Sequence, residues 1–189
     1  MNSNTTGIFH LPNLCLIAGN GRNSGKTGFA EALISRYSGH RPLIGLKVTS
    51  ILPGEGSFHG SHSHFEAGEG FEIIQEVLTD GVKDTSRMLV AGATAVYYIR
   101  AHDHILEQAM KAFLDKIDSN AVIVCESGSL RKVVKPGIFV LILNPLNIKS
   151  RSLSWKDHAD LIIEADEPQK AKEFVTAISL NENGWQLCS

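Results

Sequence analysis

Short apolar runs alternate with helical patterns along almost the whole chain. Six runs are rich in Val, Ile and Leu and show little polar alternation, which is typical of strands buried on both faces of a parallel sheet. They are residues 14–18, 43–48, 94–99, 121–125, 138–143 and 161–165. Because strands and helices alternate, the pattern predicts right-handed crossovers and an α/β fold. We expect a three-layer α/β/α sandwich around a mostly parallel sheet.

Three segments between these runs carry apolar residues at helical spacing, so each predicts one face of a helix. They are residues 29–37, 105–117 and 171–178. The last residues, 181–189, are predicted to fray, although Trp185 and Leu187 are able to dock on the body. A length of 189 residues is typical of one domain, so residues 1–189 are predicted to form a single domain.

One segment, from Thr49 to Gly70, has no apolar period. It is rich in Gly and Ser and contains His59, His62 and His64. A loop this long within a compact domain is usually functional or mobile. The three histidines are able to bind Zn²⁺, to contact an anionic ligand, or simply to face solvent, and the pattern does not separate these alternatives.

Charge and cysteine usage exclude several classes of partner. The net charge is −2 with a pI near 6.4, so neither nucleic acid nor an anionic membrane is expected to bind a broad basic face. Cys15, Cys125 and Cys188 form no C-x-x-C pair, which indicates inert thiols in a reducing compartment. No basic residue precedes Arg22 and no apolar run is long enough to span a bilayer. These features predict a cytoplasmic protein.

The strongest chemical signal is a glycine-rich loop, residues 19–27, between a predicted strand and a predicted helix. Glycines let backbone N–H groups surround phosphate oxygens, the helix start adds partial positive charge, a Lys reaches the β and γ phosphates, and a hydroxyl binds Mg²⁺. The candidate nucleotide-binding residues are Asn20, Gly21, Arg22, Asn23, Ser24, Gly25, Lys26 and Thr27. A glycine-rich turn that binds nothing is the alternative.

The loop departs from the Walker A pattern at its first glycine, where the chain has Asn20. Because Gly19 and Gly21 flank this position and Asn tolerates a positive φ, the loop is still expected to close.

Two residues at predicted strand ends complete such a site. Glu126 follows the apolar run 121–125, at the sheet edge where α/β proteins bind ligands. There it is able to hold Mg²⁺ or polarise a nucleophile, and its alternative is an ordinary surface acid. Lys47 interrupts the second apolar run. It either meets the γ-phosphate or extends from the sheet edge into solvent.

A further polar segment, residues 83–87, follows the histidine-containing loop. Asp84 followed by Thr and Ser is a plausible helix start. The functional alternative places Asp84 and Arg87 beside the nucleotide or, with His62 and His64, beside a second substrate.

Four segments together resemble the family of molybdopterin-guanine dinucleotide biosynthesis protein B (MobB), small P-loop GTP-binding proteins. They are residues 23–27, residues 45–47 followed by the histidine-containing loop, residues 81–87 continuing to Ala-Gly-Ala at 91–93, and residues 121–126 followed by Lys-Val-Val at 132–134. The third is the most specific, since the phosphate loop is shared by a whole superfamily. The matching pieces span about residues 14–143.

The resemblance implies a P-loop NTPase fold, Mg²⁺, weak hydrolysis of GTP or ATP, and a homodimer. It also implies help with the attachment of GMP to molybdopterin, alongside a molybdenum cofactor biosynthesis enzyme. Lys26 would hold the β and γ phosphates, and Thr27 with Glu126 the Mg²⁺. Besides Asn20, the chain departs from the family at Gly28, Val48 and Ser127.

Two other functions fit the same residues. One is a small-molecule kinase or ATP-dependent ligase related to dethiobiotin synthetase, which shares the strand-end Glu and Lys. The other is a non-enzymatic nucleotide switch that acts on a partner protein. The sequence has no Asn-Lys-x-Asp guanine reader, and Asn144 and Asn147 are the candidates for base recognition.

Overall fold

The computed structural model of the protein describes residues 8–21, 23–51, 64–68, 70–146 and 154–188. The α-helices are α1 (Lys26–Tyr37), α2 (Asp84–Val90) and α3 (Leu106–Leu114). The strands are β1 (Phe9–Gly19), β2 (Leu43–Ile51), β3 (His64–Gly68), β4 (Phe71–Gln75), β5 (Ala95–His102), β6 (Val122–Ser127), β7 (Val134–Leu143), β8 (Leu161–Glu164), β9 (Ile178–Asn181) and β10 (Gly184–Leu187).

Within the described residues, eight strands form one sheet in the order β3-β4-β5-β2-β6-β1-β7-β8. The six strands from β5 to β8 in this order are parallel to one another, and they overlap the six apolar runs of the sequence. β4 is antiparallel to both of its neighbours. The prediction of an α/β fold with a mostly parallel sheet is therefore confirmed, and β3 and β4 were not foreseen.

The sheet has an apolar core on each face. Successive residues of a strand point to opposite faces, so Leu16 and Ile17 of β1 belong to different core clusters. Phe29 of α1 and Met88 of α2 are completely buried in the Ile17 cluster, whereas Phe113 of α3 is buried in the Leu16 cluster. Helices thus cover both faces, an arrangement compatible with a three-layer sandwich.

The carboxyl-terminal segment is ordered, so the prediction that it frays is wrong. β9 and β10 form an antiparallel hairpin, and the Asn183 amide donates to Asn181 Oδ1 across the turn at 2.8 Å. Trp185 is buried, donates from Nε1 to the Asn13 carbonyl at 3.0 Å, and packs edge-on against Tyr37. Leu187 is exposed. Trp185, with a satisfied N–H, and the completely buried Ile178 together hold the hairpin to the body.

Two predicted helices differ from their apolar patterns, one in length and one in type. α3 covers Leu106–Leu114, after a 3₁₀ turn at Asp103–Ile105. The predicted helix at 171–178 is a 3₁₀ segment, Lys170–Ala177, and Ile178 already begins β9. Its buried residues are Ala171 and Val175. Two small buried side chains anchor too little apolar surface to stabilise an α-helix there.

The segment from Thr49 to Gly70 is only partly a loop. β2 continues to Ile51, and β3 pairs with β4 from His64 to Gly68. His59 and His62 lie outside the described residues.

The buried thiols and the helix lengths agree with two further expectations. Cys15 and Cys125 are completely buried, and burial raises the pKa of both thiols, as expected for inert cysteines. Of the helices described, none is long and apolar enough to cross a membrane.

Candidate functional site

Three central strands end side by side beneath the glycine-rich loop. β1 ends at Gly19, and the register of the parallel pairs places Lys47 of β2 and Ile17 of β1 on either side of Glu126 in β6. The carboxyl edge of a parallel sheet is where α/β proteins bind ligands. The strand order therefore joins Lys47 and Glu126 to the loop, although these features are far apart in the sequence.

The loop passes directly into α1 through residues with left-handed backbone. Asn23 has φ 58° and Gly25 has φ 93°, and α1 begins at the next residue, Lys26. A Cβ at Gly25 would lie 2.6 Å from the Pro168 carbonyl oxygen, so this position needs glycine for space as well as for φ. The first amides of α1, which have no partner within the helix, thus begin at the loop.

Asn20 fastens the loop to the end of β7. Its Nδ2 donates to the Asn144 carbonyl at 2.8 Å, and its Oδ1 accepts from the Asn144 amide at 2.9 Å. The side chain is buried. Among the described residues, Asn23 is the one non-glycine residue with a positive φ, so Asn20 does not have one. The expectation that a positive φ accommodates Asn20 is therefore wrong, because this residue acts as a brace through its amide group.

The Lys26 side chain curls back over the loop. Its Nζ donates to the Gly21 carbonyl at 2.6 Å and to Ser24 Oγ at 3.1 Å. Burial is the main cause of a lowered pKa for Lys26, while the Glu126 carboxylate opposes the shift. An ammonium carries three donors, so this group is able to bind an anion at the mouth of the loop while it keeps its contacts to the protein.

Thr27 and Glu126 form the most direct link between the loop and the strand ends. Thr27 Oγ1 donates to Glu126 Oε2 at 2.8 Å, and Glu126 is 7% exposed. A hydroxyl and a carboxylate are both ligands that suit Mg²⁺. The predicted metal residues are thus adjacent. No cluster of three or more His, Cys, Asp and Glu suited to a metal occurs among the residues described.

Lys47 is ion-paired. Its Nζ contacts Asp84 Oδ2, at the first residue of α2. Burial opposes ionisation of Asp84, but the hydrogen bond and the charge of Lys47 outweigh it, and the pKa of Asp84 is lowered. The predicted helix start is correct, and Asp84 also borders the loop cleft. Thr27, Glu126 and Asp84 therefore line the same cleft.

Arg87 is held by α1. Its Nε donates to Glu31 Oε1 at 2.5 Å and its Nη2 to Glu31 Oε2 at 2.9 Å, a two-point pair with planar geometry. This hydrogen bonding raises the pKa of Arg87. The residue borders the loop cleft, but Glu31 fixes its guanidinium, and this partner was not foreseen.

These groups surround one cleft of about 780 Å³, a volume suited to a small ligand. One side is formed by Lys26, Lys47, Asp84 and Glu126. The other side, which the sequence did not reveal, is formed by Pro168, Gln169 and Lys172. No spacing or motif signals this second wall, because the packing of the Lys170–Ala177 segment against α1 creates it.

Of the remaining predicted residues, some lie outside the part of the chain that the structure describes. Arg22, His62 and Asn147 lie outside the described residues. His64 is described through its backbone register, which makes it the Cα partner of Ile74 in β4. Asn144, a candidate for base recognition, is hydrogen-bonded to Asn20 through its backbone.

Comparison with models of known protein families and with curated proteins finds no match to this chain.

Proposed function

We propose that this protein is a P-loop NTPase that binds GTP or ATP with Mg²⁺ and hydrolyses it slowly. The observation that carries the proposal is the Thr27–Glu126 hydrogen bond of 2.8 Å at the end of the glycine-rich loop. It joins the hydroxyl and the carboxylate that a Mg²⁺–phosphate site needs, one residue beyond the lysine that such a site also needs. A glycine-rich turn that binds nothing would not need the ammonium of Lys26, the hydroxyl of Thr27 and the carboxylate of Glu126 so close together.

The charges of the cleft favour one arrangement of a nucleotide. Lys26, Lys47 and Glu126 line the cleft near the strand ends, and Pro168 and Lys172 line it next to Gly25 and Gly28. Phosphates favour the lysines and the amides of α1. The terminal phosphate would then approach Lys47 and Glu126.

Thr27 and Glu126 would hold Mg²⁺, which when bound neutralises charge on the β and γ phosphates. Lys26 would use its third donor for a phosphate oxygen while it keeps its two loop contacts. Asp84, fixed by Lys47 and close to Thr27, is placed to orient an attacking water through its ionised carboxylate. The Lys47 contact weakens Asp84 as a base, which is consistent with slow turnover.

We also propose a MobB-like role for this protein in molybdenum cofactor biosynthesis, as a homodimer in the cytoplasm. Its support is the sequence resemblance of residues 14–143, including the Lys-Asp-Thr segment whose Asp84 borders the cleft. Binding of a molybdopterin compound to the nucleotide-loaded protein tests this assignment separately.

A small-molecule kinase or ATP-dependent ligase is the second candidate. A cavity of about 490 Å³ adjoins the cleft on the carboxyl edge of the sheet. It shares Lys26, Lys47 and Glu126 with the cleft and also has Ser127 and Trp155 in its lining. An acceptor there would lie beside the terminal phosphate. Acceleration of hydrolysis or transfer by one small compound favours this candidate over a MobB-like protein.

A nucleotide panel with a lysine variant tests the main proposal. We expect Mg²⁺ complexes of GTP or ATP to bind the parent protein and the Lys26→Ala variant to bind them about 30- to 150-fold more weakly, a loss of roughly 2–3 kcal/mol from charge-assisted hydrogen bonds. Lys111→Ala is the matched control, since Lys111 is an exposed, ion-paired lysine on α3. Equal affinity in all three proteins, measured by calorimetry, would sink the phosphate-loop assignment.

A further inference from the structure

A second pocket lies beyond the Lys47–Asp84 ion pair, on the side away from the glycine-rich loop. We call it the Tyr98 pocket. Three neighbouring strands provide its floor, because Ile74 of β4, Tyr98 of β5 and Lys47 of β2 are cross-strand partners in register. Side chains directly opposite each other share a face of the sheet. Val82, Asp84 and Thr85, at the start of α2, form the wall.

The wall is fixed by hydrogen bonds that acidic side chains accept. Thr85 Oγ1 donates to Glu76 Oε2 at 2.6 Å, and Glu76 Oε1 accepts from the amides of Val77 and Leu78 at 3.1 and 3.0 Å. Asp80 accepts in the same way from the Val82 amide at 2.9 Å. Contacts within the protein therefore hold the wall in place, which lowers the ordering cost of binding.

The lining favours a flat, largely apolar ligand. Ile74 is buried and Tyr98 is half-buried, so the floor offers an aliphatic surface and an aromatic face for stacking. Val82 is 78% exposed at the rim, where a ligand would remove its side chain from water. The volume of about 420 Å³ lies within the usual range for small-molecule sites.

Lys47 provides the place for an anionic group at one end of that ligand. The pocket is lined by two lysines, Lys47 and Lys83, and by two carboxylates, Glu76 and Asp84, which accept hydrogen bonds within the protein. The Asp84 contact uses one of the three donors of Lys47, a residue that borders both the pocket and the loop cleft. A carboxylate or phosphate next to Lys47 would add a charge-assisted hydrogen bond.

We propose that the Tyr98 pocket is a binding site for a small planar aromatic anion, which stacks on Tyr98 and directs its anionic group to Lys47. The ligand would lie next to the loop cleft, because Lys47 and Asp84 border both cavities. This site does not require the proposed nucleotide function, since its floor and wall belong to β2, β4, β5 and the start of α2, and no residue of the glycine-rich loop lines it.

Quinoline-3-carboxylate is a suitable probe, and quinoline-3-carboxamide is its uncharged counterpart. At about 0.3 kcal/mol per non-hydrogen atom, we expect a dissociation constant of about 1 mM or tighter for the carboxylate. The carboxamide should bind at least about fivefold more weakly because it lacks the charge. The titration is followed by amide NMR of the full chain without nucleotide, and the saturating shifts should lie in β4, β5 and residues 76–85.

Matched variants locate the probe. Tyr98→Ala and Val82→Asp should each weaken binding of the carboxylate at least about tenfold, the first by loss of the stacking face and the second by like-charge repulsion. Tyr98→Phe keeps the ring and should bind as the parent does. Val90→Asp makes the same change at an exposed valine at the other end of α2, and it should also leave binding unchanged.

The proposal and the nucleotide function fail in different ways. Lys26→Ala should lose nucleotide binding but keep binding of quinoline-3-carboxylate. The proposal is overturned if the probe gives no saturable shifts, if its shifts lie in the glycine-rich loop, or if Val82→Asp and Tyr98→Ala bind it as tightly as the parent. Loss of nucleotide binding alone does not contradict the proposed ligand site in the Tyr98 pocket.

Discussion

The parallel strands begin at one edge of the sheet, the amino edge, and end at the other, the carboxyl edge. Polar groups make different kinds of contact at these two edges. At the amino edge, Asn13 Nδ2 donates to the Ala121 carbonyl at 2.7 Å, and Trp185 Nε1 donates to the Asn13 carbonyl at 3.0 Å. Both bonds are neutral and end on backbone oxygens. At the carboxyl edge, by contrast, the charged side chains Lys47 and Glu126 contact other side chains.

Cavities occur at both edges, so the side-chain contacts of Lys47 and Glu126 are what mark the carboxyl edge. At the amino edge a cavity of about 390 Å³ borders Pro12, Asn13 and Gly184, but a Cβ on Gly184 would clash with the Pro12 carbonyl oxygen, so the backbone is close-packed at that point. At the carboxyl edge two cavities meet at Lys47, Lys26 and Glu126. Satisfied neutral bonds and close packing stabilise a fold, whereas charges beside open space are able to exchange protein partners for a ligand. The comparison assigns stability to one edge and chemistry to the other.

The largest expected effect comes from the amino edge. Gly184→Ala should lower the free energy of unfolding by roughly 2–4 kcal/mol, because the new Cβ meets the Pro12 carbonyl and the residue has φ 118°. Denaturant titration measures the loss. Where the variant remains folded, its affinity for Mg²⁺–triphosphate should match that of the parent.

Gly39→Ala separates strain from crowding. Gly39 has φ 83°, and no atom lies within 4 Å of the place where a Cβ would project. The alanine variant should therefore lose only about 1 kcal/mol from the backbone conformation. Equal losses at Gly39 and Gly184 would contradict the view that crowding against Pro12 adds to the cost at Gly184.

A chemical effect of similar size is expected at the carboxyl edge. Glu126→Gln keeps the shape and the Thr27 hydrogen-bond acceptor but removes the charge that Mg²⁺ prefers. Hydrolysis of GTP or ATP should fall about 100-fold, or about 2.7 kcal/mol in the barrier, and the Mg²⁺ concentration for half-activity should rise. Stability should change little. Parent rates with unchanged Mg²⁺ dependence would show that Glu126 is only a structural acid.

The smallest effect concerns the pH dependence of the Lys47–Asp84 pair. The pKa of Asp84 is lowered below its ordinary value of 3.8, so its ionised form stabilises the folded state above that pH. This contribution disappears as the pH falls through the lower, folded-state pKa. Because the Asp84 side chain is 36% exposed, we expect Asp84→Asn to cost about 1 kcal/mol or less at pH 7.

The stability difference between the parent and Asp84→Asn should therefore shrink as the pH is lowered below about 3.8. Asp103→Asn is the control, since Asp103 contacts Lys132 in a more exposed ion pair. A cost for Asp84→Asn that grows on acidification would contradict the assigned direction of the pKa shift.

Local sequence patterns predicted the centre of the fold. The six apolar runs correspond to the six parallel strands, and the four central ones, β2, β6, β1 and β7, have continuous buried runs because a strand buried on both faces needs an unbroken apolar sequence. The glycine-rich loop and the start of α2 at Asp84 were also predicted, since Gly and acidic residues mark turns and helix starts through local chemistry. Thr27 and Glu126 were assigned together, and they are in contact.

The parts that the sequence did not reveal depend on contacts between distant segments. Asn20 binds Asn144, 124 positions away, and Lys47 binds Asp84, 37 positions away. The β9–β10 hairpin depends on Trp185 reaching Asn13. Such pairings follow from the strand order, which periodicity does not encode. His62 and Arg22 stay predictions.

The most direct measurement for the central claim is an amide NMR titration of the full chain with Mg²⁺–GTP and Mg²⁺–ATP. We predict saturable shifts of the Ser24, Gly25, Lys26 and Thr27 amides and of Glu126, with the Asn13 and Gly184 amides unchanged. The shifts should weaken strongly in Lys26→Ala. Absence of saturable shifts in the loop at millimolar nucleotide, or the largest shifts at the amino edge around Asn13 and Gly184, would contradict the account.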